Sequence, residues 1–418
     1  MCSVAVRPGG GTSLPTAQRS DFGAMLAGQA ERADVRNLQQ TQAAVSRRRS
    51  PASVQARRDA PLAAALLANR PLYGAHSVPA MRNLYYIEDF GATCKETGVL
   101  MISAASASEL FVAACQAVLA EGRSVAPRGM ATVEVLGASL CLTDPRRRLV
   151  DMPPVRVLNP AFAAAEAVWI LSGSDEPWIY QYNRRLTQYA DGGRLMGAYG
   201  PRLRYWQGTV DQLDQIRKLL RADPGSRRAV IQLFDPGRDF AGYNDVPCTL
   251  GYRFFLRDGL LHMHTTMRSQ DLWLGFGYDI FTATMIQELL AGWLGAGLGE
   301  YCHQVDSLHL YAQHVAAARR LPSAAPKGPV TTPLAGHWDG FDGLLHAVIT
   351  GGPVADHGWA EIATVLASYR AWKTGDREKA RLMVARSDGL LSAALQRWYD
   401  RLEHHSGIPG ADLAGRDR

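Results

Sequence analysis

The stretch "NPAFAAAEAVWILSG", residues 159–173, restricts the fold more than any other. Apolar side chains fill almost every position, so a helix built here has no polar face and belongs in an interior. Asn159 is a favoured N-cap and Pro160 suits the first helical position, which fixes the start. One charged residue, Glu166, lies in the middle between Ala165 and Ala167. A carboxylate is costly to bury without a partner, so Glu166 is a candidate site residue.

The surrounding pattern mixes both periods. "SASELFVAACQAVLAEG" (106–122) and "VDQLDQIRKLLRAD" (210–223) repeat their apolar residues at helical spacing. "TVEVLGASLCLTD" (132–144) alternates like a strand, and "RRAVIQLFDP" (227–236) also reads as one. "TLGYRFFLRDGLLHMHTTMRS" predicts a hairpin turning at Arg257-Asp258-Gly259. "FTATMIQELLAGWLGAGLG" (281–299) predicts a long apolar helix ended by glycines, and "QVDSLHLYAQHVAAARRL" (304–321) passes from strand to helix. The class is α+β, and residues 101–321 read as one unit. Residues 322–418 read as a Pro/Gly-rich linker and a helical C-terminal extension. Residues 1–100 are expected to be mostly disordered or an over-extended start. "RPGGGTS" (7–13) lacks the Gly-Lys-Ser/Thr of a phosphate loop.

The net charge of +6 raises the question of a nucleic-acid partner, yet "SRRRS" (46–50) and "ARR" (56–58) place part of that excess in the first eighty residues. No stretch approaches the ~20 apolar residues of a membrane span, and no signal peptide opens the chain. The six cysteines (2, 94, 115, 141, 248, 302) form no CxxC pair. That argues against a zinc ribbon or a disulfide scaffold and predicts a reducing, cytoplasmic setting with no metal.

The chemistry concentrates in "VPCTLGYRFF" (246–255) and "RSQDLWLGFGYDIF" (268–281). A cysteine becomes a nucleophile as the thiolate, which a nearby arginine favours. Arg227, Arg228, Arg253 and Arg268 lie in the same region, and arginine also holds phosphate bidentately. A thiol surrounded by arginines suits a phosphorylated, electrophilic substrate.

Several segments, in order from about 128 to about 315, resemble the thymidylate synthase family. They are "AEAVWILSG", "GAYGPRLRYW", "SRRAVIQLFDP", "PCT", "RSQDLWLGFGYDI" and "DSLHLY". The resemblance implies a homodimer with sheets back to back and 5,10-methylenetetrahydrofolate as the one-carbon donor. It implies that Cys248 adds to C6 of a pyrimidine nucleotide, that Glu166 orders water and moves protons, and that Tyr199 assists proton removal at C5. Arg268 with Ser269, and Arg227 with Arg228 from the second subunit, would hold the 5′-phosphate. His309 and Tyr311 would bind the sugar 3′-hydroxyl, and Asp271 the pterin.

The sequence departs from the family at informative places. Asp279 stands where the family's synthases have a base-reading asparagine. An amide serves uracil, whereas a carboxylate only accepts and so matches the cytosine amino group. Aspartate here resembles the family's cytidylate hydroxymethylase branch, which implies conversion of CMP or dCMP to the 5-hydroxymethyl nucleotide. The rivals are a thymidylate synthase acting on dUMP and a nucleic-acid-binding protein on an inactive nucleotide fold, the latter disfavoured by Cys248, Glu166 and Arg268 standing together. Arg128 in "PRGMAT" is displaced by about one position from the family's arginine. Tyr189 replaces a tryptophan near the folate, so contacts there are expected to differ.

Overall fold

The computed structural model describes residues 99–406. The expectation of disorder over residues 1–100 falls almost entirely outside them. In chain order the elements are β1 (Leu100–Ala104), α1 (Ala107–Glu121), β2 (Arg123–Val125), β3 (Thr132–Leu142), β4 (Asp151–Met152), β5 (Arg156–Val157) and α2 (Pro160–Leu171). Then come α3 (Tyr199–Arg204), α4 (Gln212–Ala222), β6 (Val230–Gln232), α5 (Pro236–Asp239), β7 (Thr249–Arg257), β8 (Leu260–Met267) and β9 (Gln270–Asp271). The chain continues through α6 (Phe276–Leu294), β10 (Gly297–Tyr311), α7 (Ala312–Ala318), α8 (Phe341–Thr350), α9 (His357–Lys373), α10 (Arg377–Ala385) and α11 (Leu390–Ser406).

One mixed sheet runs β1-β3-β10-β8-β7-β6, with β2 on β3 and β9 on β10, so the expected α+β class holds. The hairpin turns at Asp258-Gly259, both with positive φ (50° and 74°), the geometry of a two-residue turn that suits the right-handed strand twist. Helix α2 starts as the sequence predicts: Asn159 Oδ1 accepts from the amides of Ala161 and Phe162 at 3.1 and 3.2 Å. All twelve of its residues are buried. α6 covers it on one side, and α9 and α11 of the C-terminal extension also pack on it. The extension is therefore built onto the helix that carries Glu166.

Three expectations need correction. The strand expected over 227–236 is only Val230–Gln232, because Arg227 and Arg228 belong to the exposed loop before it. Helix α6 begins at Phe276, so Asp279 lies in its first turn. It ends at Leu294, where Gly295 takes a left-handed conformation. The glycines after it open β10, a fifteen-residue strand, instead of ending a helix. Two cysteines remote in sequence, Cys141 and Cys302, face each other across β3 and β10 with their sulfurs 3.4 Å apart.

A bulge interrupts the strand pairing near the start of β7. Thr249 pairs with Met267 and Gly251 with Thr266, so Leu250 is an extra residue. Its carbonyl accepts from the amides of Leu233 and Phe234 at 2.9 and 3.2 Å. Bulges of this kind re-aim the side chains beside them, and Cys248 is two residues away. The close approach needs glycine: a Cβ on Gly251 would stand 2.2 Å from the carbonyl oxygen of Ile231. Gly251→Ala is expected to cost about 2 kcal/mol or more, since backbone cannot yield as a side chain does. A urea unfolding midpoint unchanged from wild type would contradict that.

Candidate active site

The thiol of Cys248 is buried, 1% exposed, at the mouth of β7. Arg268 clasps it. The Arg268 amide donates to the Cys248 carbonyl at 2.9 Å. Its guanidinium donates through Nε to the Pro247 carbonyl at 2.8 Å, and through Nη2 to the Val246 carbonyl at 3.1 Å. Nη2 also lies 3.6 Å from Cys248 Sγ. A permanent cation at that distance favours the thiolate.

Tyr199 opens α3 in the segment "GAYGPR". Its hydroxyl accepts from the Thr249 amide at 3.1 Å, at the residue next to Cys248. Two buried contacts fix that segment. Arg202 makes a bidentate pair with Asp239, at 2.6 and 2.7 Å. Asp245 accepts from the Gly197 amide at 3.0 Å, tying the tyrosine loop to the segment three residues before Cys248. The sequence singled out neither carboxylate, because Asp239 ends a single-turn helix and Asp245 sits in an ordinary loop.

Glu166, Tyr199, Thr249 and Asp279 line one small cavity, completed by Ile170, Tyr252, Thr265, Thr282 and Ala283. Three remote segments thus converge, as the resemblance implied for Glu166, Tyr199 and Asp279. Burial pushes the Glu166 carboxyl up to about 7, and the charges of Asp279 and Asp245 add to the push. Such a group can hold or release a proton near neutrality. The Thr282 hydroxyl is buried in the wall and has no hydrogen-bond partner among the described residues. Gln270 Nε2 donates to Asp279 Oδ2 at 2.9 Å. Tyr252, Thr265, Thr282 and Gln270 were missed in the sequence, where strand and helix periodicity place them inward without saying what they meet.

Asp271 lies 1% exposed beside the cavity wall, its Oδ1 accepting from the amides of Trp273 and Leu274 at 2.8 and 3.2 Å. Burial raises its carboxyl, opposed by the charge of His309 and by those two amides. His309 is Asp271's partner in the β9–β10 pairing, and Tyr311 meets His309 edge-on at 5.2 Å. Ser269 is half-buried next to Arg268. Trp273, two residues along from Asp271, packs its ring on Phe111 at 5.7 Å and stacks on His314 at 5.8 Å, and Tyr278 stands edge-on to Phe162 at 4.7 Å. A buried acceptor beside aromatic faces fits a planar pterin with ring N–H donors.

Some expected residues stay apart. Arg227 and Arg228 are exposed, and the Ala229 carbonyl accepts from Phe254, six residues along β7 from Cys248. At about 3.3 Å per residue that is on the order of 20 Å from the thiol. Arg128 is exposed in a turn with φ 54°. Tyr189 is buried in a 3₁₀ turn, Arg184–Tyr189.

The raised carboxyl of Glu166 has a consequence for stability. Because its folded pKa lies above the usual 4.5, the folded chain holds a proton that the unfolded chain releases between pH 4.5 and 7. Wild type is therefore expected to lose stability relative to Glu166→Gln across that window, by up to about 3 kcal/mol, with no further divergence above it. Parallel stability–pH curves for the two would show that Glu166 ionises normally.

The thymidylate synthase family model matches residues 109–334, more than half of the chain. The chain is 34% identical over 223 residues to the deoxyuridylate hydroxymethyltransferase of Bacillus phage SP01, covering 50% of this chain and 58% of that protein. It is 32% identical over 149 residues to a thymidylate synthase of Listeria monocytogenes serovar 1/2a, covering 34% and 46%. It is also 32% identical over 143 residues to a thymidylate synthase of Listeria innocua serovar 6a, covering 32% and 45%. The chain spans about half the length of the curated relatives it matches. The order of the segments, the convergence of Cys248, Arg268, Tyr199 and Glu166, and the extent of the match agree: the chain belongs to the thymidylate synthase family.

Proposed function

We propose that the protein is a pyrimidine nucleotide C5 hydroxymethyltransferase that converts CMP or dCMP, 5,10-methylenetetrahydrofolate and water into the 5-hydroxymethyl nucleotide and tetrahydrofolate. The observation that carries the choice of base is a carboxylate at residue 279 on the cavity wall. As an acceptor it pairs with the cytosine amino group and meets the O4 of uracil with repulsion, so a mismatch leaves buried polar atoms unpaired.

In this reading the Cys248 thiolate, held by Arg268, attacks C6 of the base. Electron density moves to C5, which becomes a carbon nucleophile. The folate, when bound, supplies a one-carbon unit at the oxidation level of formaldehyde. Asp271 with Trp273 and Tyr278 would hold its planar ring. Tyr199, whose hydroxyl meets the Thr249 amide beside the thiol, stays protonated because burial raises its phenol, and assists by orienting the water that takes the proton leaving C5. Glu166, poised near neutrality, exchanges protons with water in the cavity and directs a water molecule to the exocyclic carbon. Cys248 then leaves C6 and the ring regains its double bond. His309 and Tyr311 would meet the sugar, and Ser269 with Arg268 the phosphate, to which Arg268 can offer Nη1.

Arg227 and Arg228 lie too far along the sheet to reach the phosphate in their own chain. A second copy would bring them, and Met101, Leu136, Val230 and Leu260 are large apolar side chains exposed on β1, β3, β6 and β8, suited to a sheet-to-sheet homodimer. A second reading, hydroxymethylation of a uridylate, is favoured by the activity named for the phage SP01 relative. It requires a hydrogen-bond donor to O4 other than the ionised Asp279 carboxylate. A methylating synthase on dUMP is the third outcome.

Tritium release from [5-³H]CMP, dCMP and dUMP, with the product weighed, separates these. Release from a cytidylate with a hydroxymethyl product is expected, abolished in Cys248→Ala, with preference moving toward uracil in Asp279→Asn by about tenfold or more. A methyl product from dUMP alone would overturn the proposal.

A further inference from the structure

A chain of buried polar side chains stands behind Asp279. Gln270 is fully buried, and its Nε2 faces two acceptors, Asp279 Oδ2 at 2.9 Å and the Asp271 carbonyl at 3.2 Å. Two acceptors require the NH₂ group at that end, so the orientation of this amide is decided by its neighbours. Its Oε1 therefore faces His303 Nε2, at 2.8 Å. An amide oxygen only accepts, so His303 must carry its proton on Nε2. His303 is fully buried and burial pushes it down to about 4, which keeps it neutral with a single N–H. Its Nδ1 is then a lone pair and takes the hydroxyl of Tyr301, at 2.8 Å. Tyr301 Oη also lies 2.9 Å from Thr265 Oγ1, and Thr265 returns to the cavity wall that Asp279 lines. The series begins and ends at the same cavity, with one consistent set of proton positions along His303 and Gln270.

We propose that Gln270 is a specificity-determining positioning residue, whose amide, locked by His303 and Tyr301, fixes the rotation of the Asp279 carboxylate toward the base. The inference rests on the reading above that residue 279 meets the base. A carboxylate that could swing would present either edge or a water, and would discriminate poorly between an amino group and a carbonyl. With Oδ2 tied to Gln270, and Gln270 unable to flip, the carboxylate presents one fixed edge. A reversed amide would put an oxygen against an oxygen at Asp279, so the lock also disfavours rotation of Gln270 itself.

Calorimetric titration of the full chain with CMP, dCMP, UMP and dUMP, without folate, tests this independently of turnover. In wild type the ratio of Kd values between the two bases measures discrimination. Gln270→Leu, which keeps the volume but removes the amide, is expected to shrink that ratio about tenfold. Tyr301→Phe is expected to shrink it severalfold in the same direction with little loss of volume, and it carries the test where Gln270→Leu does not fold. A ratio within twofold of wild type in either folded variant, with both bases weakened equally, would reduce Gln270 to a packing residue and overturn the proposal. Wild type preferring uracil would sink the cytosine reading, while a ratio that still collapses in Gln270→Leu would uphold the role of Gln270. Binding of none of the four would overturn both.

Discussion

The grip of Arg268 on the Val246–Cys248 segment is the contact on which the rest of the site depends. One guanidinium donates to two consecutive backbone carbonyls and reaches the thiol, while the amide of the same residue holds the Cys248 carbonyl. The arrangement joins the start of β7 to the end of β8 just where the bulge at Leu250 turns the chain. A neutral side chain could hold the carbonyls but would bring no positive charge to a thiolate. A lysine would lack the fork that spans both. The same group thus fixes the geometry of the Cys248 segment and places a positive charge beside its thiol.

Around that grip the molecule solves a problem of burying charge. Glu166 and Asp279 both line the cavity, Glu166 buried and Asp279 half-buried. Glu166 responds by holding its proton toward neutrality, while Asp279 is given a donor in Gln270. The helix that carries Glu166 has no polar face, and the C-terminal helices supply the cover it needs. Tyr182, in the 3₁₀ turn region after α2, donates its hydroxyl to the Leu366 carbonyl and accepts from Arg370, both in α9. The extension is therefore joined by polar bonds to the turn that follows the Glu166 helix, and by packing to that helix itself.

Much of this was legible in the sequence. The all-apolar helix with one glutamate, the capping by Asn159-Pro160, the Asp-Gly hairpin and the arginine near the cysteine each rest on local rules. The rest depends on which remote segments meet. Strand alternation places Thr265, Tyr301 and His303 inward but does not reveal that they join one another and Gln270. The glycines at 295–299 serve equally as a helix end and as the opening of a strand, and only pairing with β8 decides it. Arg227 and Arg228 read as part of the nucleophile's surroundings because they are near in sequence, yet antiparallel pairing carries them far up the sheet. The two facing thiols, Cys141 and Cys302, are 161 residues apart, beyond any spacing rule.

The most direct test of the central claim is to trap the nucleophile. A 5-fluoro pyrimidine nucleotide cannot lose its C5 substituent as a proton, so addition at C6 followed by one-carbon transfer should stall with the nucleotide bound to the enzyme. Incubating the protein with 5-fluoro-dCMP or 5-fluoro-dUMP and methylenetetrahydrofolate, then measuring intact mass and mapping peptides, should give one nucleotide and one methylenetetrahydrofolate added per chain, on Cys248. An adduct on another residue, or none with either base, would contradict Cys248 as the nucleophile on which the proposed chemistry rests.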